Sequence, residues 1–233
     1  MRLGLALLVV ASGCDGVFGL THIYKPADGD SDGEPDAEIP VDARPGCTLD
    51  PFTGTVTDLV ANWDRNIDPG FDVTIEANQL VSQLPAARQG GAWVSSIQRL
   101  NMTQATASVE AVEVLDQANG EAIFWVELDG GHYYIFRGTN VALTMNVYSV
   151  PDVSYNQTIA YDPVAHRYWR FATGTGMVEF WTSGNGRDWV MRNSMPEVVG
   201  LSSMRIGIGG GAHPGGVAAS TDARFDNFEY CPL

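Results

Sequence analysis

The stretch MVEFWTSGNGRDWVMRN, residues 177–193, decides how this chain is read. In its first half Val178 and Phe180 alternate with Glu179 and Trp181, and a second aromatic and apolar run begins at Trp189. Alternation with a period of two marks a strand with one buried face. At the centre, Ser183 to Trp189 (SGNGRDW) supplies an Asn185 side chain able to bond nearby backbone and a Gly186 free to take a positive φ. The stretch predicts two strands joined by a bend that Trp189 covers with its ring, and Asp188 belongs to the bend rather than to catalysis.

The same pattern extends through the chain. FDVTIE, NQLVSQL, TASVEAVEVL, EAIFWVEL, HYYIFR, LTMNVYS, QTIAY, RYWRFAT, DWVMRN, MRIGIG and ARFDNFEY alternate in the same way and are separated by Gly, Asn, Asp and Pro. No long segment keeps a helical period and there is no internal repeat. Strands at this spacing predict an all-β jelly-roll sandwich of two antiparallel sheets.

SGNGRDW also resembles the Asp-box hairpin, S-x-D-G-x-T-W, with Asn185 for Asp and Asp188 for Thr, a motif that is structural where it occurs. On a larger scale, FTGTVTDLVANWD (52–64), DVTIEANQLVSQLP (72–85), HRYWRF…MVEFWTSGNGRDW (166–189) and ARFDNFEY (223–230) resemble, in their order, the concanavalin A-like lectin/glucanase superfamily. The resemblance spans nearly all of residues 50–230 and implies the fold more than an activity. The laminarinase-type branch carries E-x-D-x-x-E on one strand. Here EAVEVLD, residues 110–116, has acids at other intervals, which counts against a retaining glycosidase.

The N-terminus reads MRLGLALLVVASGC. A charge at Arg2, a short apolar run and small residues before Cys14 make residues 1–13 a secretory signal, too short to span a bilayer. ASGC resembles a bacterial lipobox, with Ala11 in place of the usual Leu, so Cys14 is the expected lipidation site; an ordinary cleaved signal is the alternative. Acyl chains there would hold the protein on a membrane of the bacterial cell envelope, with the choice of membrane open. Residues 14–46 are acidic and rich in Gly and Pro and read as a disordered tether to a domain over 47–233. Within the tether, Asp28, Asp30, Asp32, Gly33 and Asp36 approach a calcium-loop spacing, but Ile39 stands where a bidentate Glu would close it, so no cofactor is assigned.

Of the three cysteines, Cys47 and Cys231 remain and bracket the domain. An exported chain meets an oxidising compartment, so the two are expected to form a disulfide worth about 5 kcal/mol on loop-entropy grounds; two buried free thiols are the alternative. A formal net charge of -15 argues against nucleic acid and anionic membrane surfaces as partners, which need basic surface. IGIGGGAHPGG, residues 206–216, lacks the Lys-Ser/Thr of a phosphate loop and reads as a strand running into a mobile loop. The histidines are scattered and no metal site is expected.

Alternation also picks out a surface. A two-residue turn at Asp129-Gly130 would pair Glu127 with His132 and Trp125 with Tyr134, leaving Phe124, Val126, Tyr133 and Ile135 for the core. Similarly, Tyr168 and Arg170 oppose Trp169 and Phe171, and Glu179 and Trp181 oppose Val178 and Phe180. One sheet face would then present Trp125, Glu127, His132, Tyr134, Tyr168, Arg170, Glu179 and Trp181, aromatics and hydrogen-bonding groups suited to a carbohydrate or glycan. The alternatives are a glycoside-acting enzyme with Glu127 and Glu179 as its acids, a scaffold for another envelope protein, or aromatics covered by loops as a second small core. For the N-terminus the expected outcome is simple: a fatty-acid analogue fed to cells labels the protein, and Cys14→Ser abolishes the label.

Overall fold

The computed structural model describes residues 46–128, 131–149 and 153–233. The expected signal segment, Cys14, nearly all of the expected tether and the acidic stretch from Asp28 to Asp36 lie outside the described residues. The chain begins with β1 (Thr48–Asp50), the single turn α1 (Val56–Leu59), β2 (Trp63–Ile67), β3 (Asp72–Glu76), β4 (Gln79–Leu84) and β5 (Gly90–Ser96). Its middle supplies β6 (Ala105–Glu113), β7 (Gly120–Leu128), β8 (His132–Gly138), β9 (Ala142–Ser149) and β10 (Val153–Ala160). It closes with β11 (Tyr168–Gly174), β12 (Met177–Ser183), β13 (Val190–Pro196), β14 (Arg205–Ala212) and β15 (Thr221–Pro232).

Two antiparallel sheets result, as the alternation predicts. An eight-stranded sheet runs β13-β12-β11-β6-β15-β4-β3, with β1 added against β15, and a seven-stranded sheet runs β10-β9-β8-β7-β14-β5-β2. The inner rows of both meet in one core. Val109, Trp169, Phe171, Phe180 and Phe225 come from the first sheet, and Phe124, Tyr134, Phe136, Val147 and Ile208 from the second. All are fully buried, and each large apolar side chain adds about 1.5–3 kcal/mol by leaving water. Among the described residues no helix is long and apolar enough to cross a membrane.

Cys47 and Cys231 are bonded, with an S–S distance of 2.04 Å across 184 residues of sequence. The pairing of Thr48 with Tyr230 brings the two cysteines opposite one another, so the bridge continues the β1–β15 ladder.

The glycine run is a strand leading into a loop, as expected, with the strand, β14, reaching as far as Ala212. It is flanked by β7 and β5 and carries four glycines in its interior. The reason is steric: the Trp125 ring lies over Gly207, where a Cβ would come within 2.0 Å of it. On the neighbouring strand the Trp93 ring similarly lies 2.9 Å from a Cβ built at Gly91. Glycine is the residue that lets two indoles lie flat on the outside of this sheet. Gly207→Ala should therefore destabilise the fold by roughly 1–3 kcal/mol in urea unfolding, as overpacking does. Combining it with Trp125→Ala should cost less than the two single losses added, since the clash is then removed.

Candidate functional site

The β7–β8 hairpin is shifted by one residue from the expected register. Leu128 opposes His132, Glu127 opposes Tyr133, Trp125 opposes Ile135 and Val126 opposes Tyr134. Three residues, 129–131, therefore link the strands instead of two, and Gly131 takes φ 87°. A one-residue shift moves every β8 side chain to the other face. Tyr134 is consequently buried in the core, where its hydroxyl accepts from the Val198 N–H at 2.8 Å. Tyr133, expected in the core, joins Trp125 and Glu127 on the outside.

β7 and β8 belong to the seven-stranded sheet, β11 and β12 to the eight-stranded one. Phe124 and Val126 in β7, like Trp169, Phe171, Val178 and Phe180 in β11 and β12, point into the shared core. Trp125 and Glu127 thus look out from one side of the sandwich, while Tyr168, Arg170, Glu179 and Trp181 look out from the other. The expected single face is two faces, because pairing between distant strands, and not local alternation, decides which sheet a strand joins.

On the outside of the seven-stranded sheet, aromatic side chains follow one another across the strands. Trp93 on β5 meets Trp125 on β7 edge to face, with ring centroids 6.1 Å apart. Tyr133 on β8 stacks on Tyr148 of β9 at 5.1 Å, and Tyr148 is 41 % exposed. Trp125 is only 7 % exposed, and its Nε1–H donates to Glu127 Oε2 at 2.9 Å. Charges on this face are compensated: Glu121 lies 3.0 Å from His213 and 3.8 Å from Arg137, and Arg205 lies 3.5 Å from Asp64. Burial pushes the Tyr133 phenol up, with Arg137 opposing. Three buried polar atoms here, Arg137 Nε, Asn146 Oδ1 and Arg205 Nε, have no hydrogen-bond partner among the described residues.

Tyr148, Trp93 and Asn146 escaped the sequence reading for different reasons. The run LTMNVYS reads as a strand, but its face follows only from the β8 register. In GGAWVSS, glycines dilute the alternation that marks a strand. His132 sits partly buried at the start of β8, opposite Leu128.

The SGNGRDW bend lies over part of the outside of the eight-stranded sheet, above Tyr168. Asn185 Oδ1 accepts from the backbone N–H groups of Arg187 and Asp188 at 2.9 Å each, and Asn185 Nδ2 donates to Asp188 Oδ2 at 2.8 Å. Gly186 takes φ 71° and passes over the Tyr168 ring. Asp188 holds the bend, as expected. Trp189 reaches past the hairpin, and the Arg170 guanidinium lies 4.0 Å from its ring centroid and 5.4 Å from that of Trp181. The Trp181 Nε1–H in turn donates to Glu179 at 3.0 Å. These four side chains pack against one another as a small second core.

Beside that bend, Asp226 is the register partner of Glu110 on the same outer face. Glu110 accepts from Arg167 Nε at 2.6 Å and from Asn227 Nδ2 at 2.7 Å. Burial, with the nearby Glu110 and Asp50, pushes the Asp226 carboxyl up to about 6, opposed by the Asn227 N–H and Arg167. A raised carboxyl contributes stability that is complete below its unfolded value of 3.8 and is lost as pH rises through about 6. Asp226→Asn should match the parent near pH 4 and become more stable than it by roughly 1–3 kcal/mol above pH 7, read from paired urea titrations.

No protein-family profile matches the chain, and no curated protein matches it. Solved structures do. A glycosyl hydrolase family protein from Mycobacterium fortuitum superposes with a TM-score of 0.59 at 17 % identity, over 78 % of this chain and 98 % of that one. The Bacillus licheniformis β-glucanase gives 0.56 at 13 % identity, over 81 % and 99 %. An immunostimulatory antigen and pseudo β-1,3-glucanase of Mycobacterium tuberculosis gives 0.56 at 14 % identity, over 80 % and 98 %. At such identities the likeness is one of architecture, and the architecture is the concanavalin A-like jelly roll of the glucanases.

Proposed function

We propose that the protein binds a linear glycan across the outside of its seven-stranded sheet and does not cleave it. The observation that carries this reading is the exposed Tyr148–Tyr133 stack beside Asn146, whose buried Oδ1 lacks a partner among the described residues. A sugar ring offers both an apolar C–H face for the phenol and a hydroxyl for that oxygen. From Trp93 on β5 to Tyr148 on β9 the aromatic row crosses four strand spacings, about 19 Å, enough for a short oligosaccharide. The glucanase names among the solved neighbours support β-linked glucans as the first ligands to test. We also propose, on the ASGC motif, that Cys14 anchors the protein in the bacterial envelope.

Those same names favour a glycoside-acting enzyme as the second reading. Glu127 and Glu179 look out from opposite sides of the sandwich, so they cannot flank one glycosidic bond. On the proposed face, Glu121 and Glu127 are separated along β7 by Ile123 and Trp125, about 20 Å at strand rise. Hydrolysis needs carboxyls about 5–9.5 Å apart. Non-catalytic binding is the better fit to these side chains.

Calorimetry of the full chain with β-glucan oligosaccharides, run beside a reducing-sugar assay, tests both readings. We expect saturable binding that Tyr148→Ala weakens by roughly 1–3 kcal/mol with melting unchanged, and no new reducing ends. Binding that survives Tyr148→Ala but is lost in Trp181→Ala would move the site to the opposite face. Release of reducing sugar would establish the enzyme instead.

A further inference from the structure

Between β10 and β11 the chain crosses from the seven-stranded sheet to the eight-stranded one. It does so in one turn, Asp162-Pro163-Val164-Ala165-His166. Before the turn, the Tyr161 N–H donates to the Val141 carbonyl beside β9 at 3.1 Å. After it, the Arg167 carbonyl accepts from the Ala111 N–H of β6 at 2.7 Å. The turn is therefore a joint with one sheet on either side.

His166 closes this joint twice. Its backbone N–H donates to the Asp162 carbonyl at 2.8 Å, and its ring Nδ1 accepts from the Asp162 N–H at 3.0 Å. Asp162 Oδ1 accepts from the N–H groups of Val164 at 2.9 Å and Ala165 at 3.0 Å, so every backbone N–H of the turn is bonded within it. Two neighbours rest on the result. The His166 carbonyl receives the Trp169 indole N–H at 2.8 Å. The Val164 carbonyl lies against Gly184 of the bend, where a Cβ would come within 2.8 Å of it.

A ring nitrogen that accepts from a backbone N–H carries no proton, so the closed turn holds the neutral imidazole. His166 is 5 % exposed, and burial, then the Arg192 guanidinium of β13, hold it below its ordinary value of 6.5 against the pull of Asp162. The Tyr161 ring lies 5.9 Å away, its phenol pushed up to about 12 by burial and so uncharged. Arg167, next in the chain, is engaged by Glu110. The Asp162 carboxyl is held below its usual range by the Ala165 and Val164 N–H groups and stays charged while the imidazole titrates.

We infer that the turn is an acid-operated latch between the two sheets: a proton taken up on His166 Nδ1 breaks the bond from the Asp162 N–H, the turn opens, and the carbonyl that holds the Trp169 indole is released. The sign follows from a depressed imidazole. The stability of the closed turn is complete above 6.5 and is lost as pH falls through the lower value of the buried ring. Asp226 acts in the opposite sense, so the two titrations are separable. The inference stands on this turn alone and is independent of what the aromatic face binds.

Amide exchange followed by nuclear magnetic resonance on the full chain is the test, with each rate corrected for the intrinsic pH dependence of exchange. Between about pH 7.5 and about pH 5, protection of the Asp162, Val164, Ala165 and His166 amides and of the Trp169 indole N–H should fall by roughly tenfold. Amides in the middle of β6 and β7 should keep theirs. His166→Gln, which has no proton to take up in this range, should abolish the dependence, and Arg192→Gln should move the imidazole titration to higher pH. Protection that does not change over this range, or that falls equally in His166→Gln, would overturn the inference. If His166→Gln does not fold, the parent decides, since a His166 ring that titrates at or above about 6.5 would overturn it as well.

Discussion

The contact on which this sandwich depends is the one between Trp169 and the opposite sheet. Its indole leaves β11, lies 5.6 Å from the Phe136 ring of β8, and donates its Nε1–H to the His166 carbonyl at 2.8 Å. Gly138 at the end of β8 makes room for it, since a Cβ there would come within 2.6 Å of the indole. A side chain of that size can be buried only if the strand opposite turns an apolar row toward it, and the β8 register does so with Tyr134 and Phe136. Everything facing outward on both sheets, the aromatic row as well as the covered second core, follows from that choice of inward rows.

Much of this architecture was legible in the sequence because it depends on local pattern. Alternation in MVEFWTS and RYWRFAT is a statement about neighbouring residues, and both runs are strands with the expected faces inward. The bend at Asn185-Gly186 and the bridge between Cys47 and Cys231 were likewise written in residue type and position. What escaped were facts about distant parts of the chain. Nothing in the sequence of β7 shows that it lies between β8 and β14, or that β11 lies between β6 and β12 in the other sheet. The site suffered more than the fold for that reason: Trp125 and Trp181 are each on an outer face, yet never on the same one. A single residue in the 129–131 link was enough to exchange Tyr133 with Tyr134.

The two outer faces make different use of similar side chains. On the eight-stranded sheet, Arg170 lies against two indoles and the bend passes over Tyr168, so these side chains pack against one another. On the seven-stranded sheet, glycines in β14 let Trp125 and Trp93 lie low, and the tyrosine pair is left standing beside them. Glycine thus acts as a recess as much as a flexible link, setting the height of the surface from which Tyr148 projects.

The Cys47–Cys231 bridge also determines how the domain carries a load. Tension arriving from the N-terminal side reaches Cys47, and the bridge hands it directly to β15, which lies between β6 and β4 inside the eight-stranded sheet. Without the bridge the same pull would act on the three-residue β1 and strip it from β15 one pair at a time. With it, the pull enters β15 at Cys231, beside its pairing with Thr106 of β6, and the chain between the two cysteines, 184 positions apart, cannot pay out as slack. A small covalent detail near the start of the domain thus ties its first strand to the interior of the sheet.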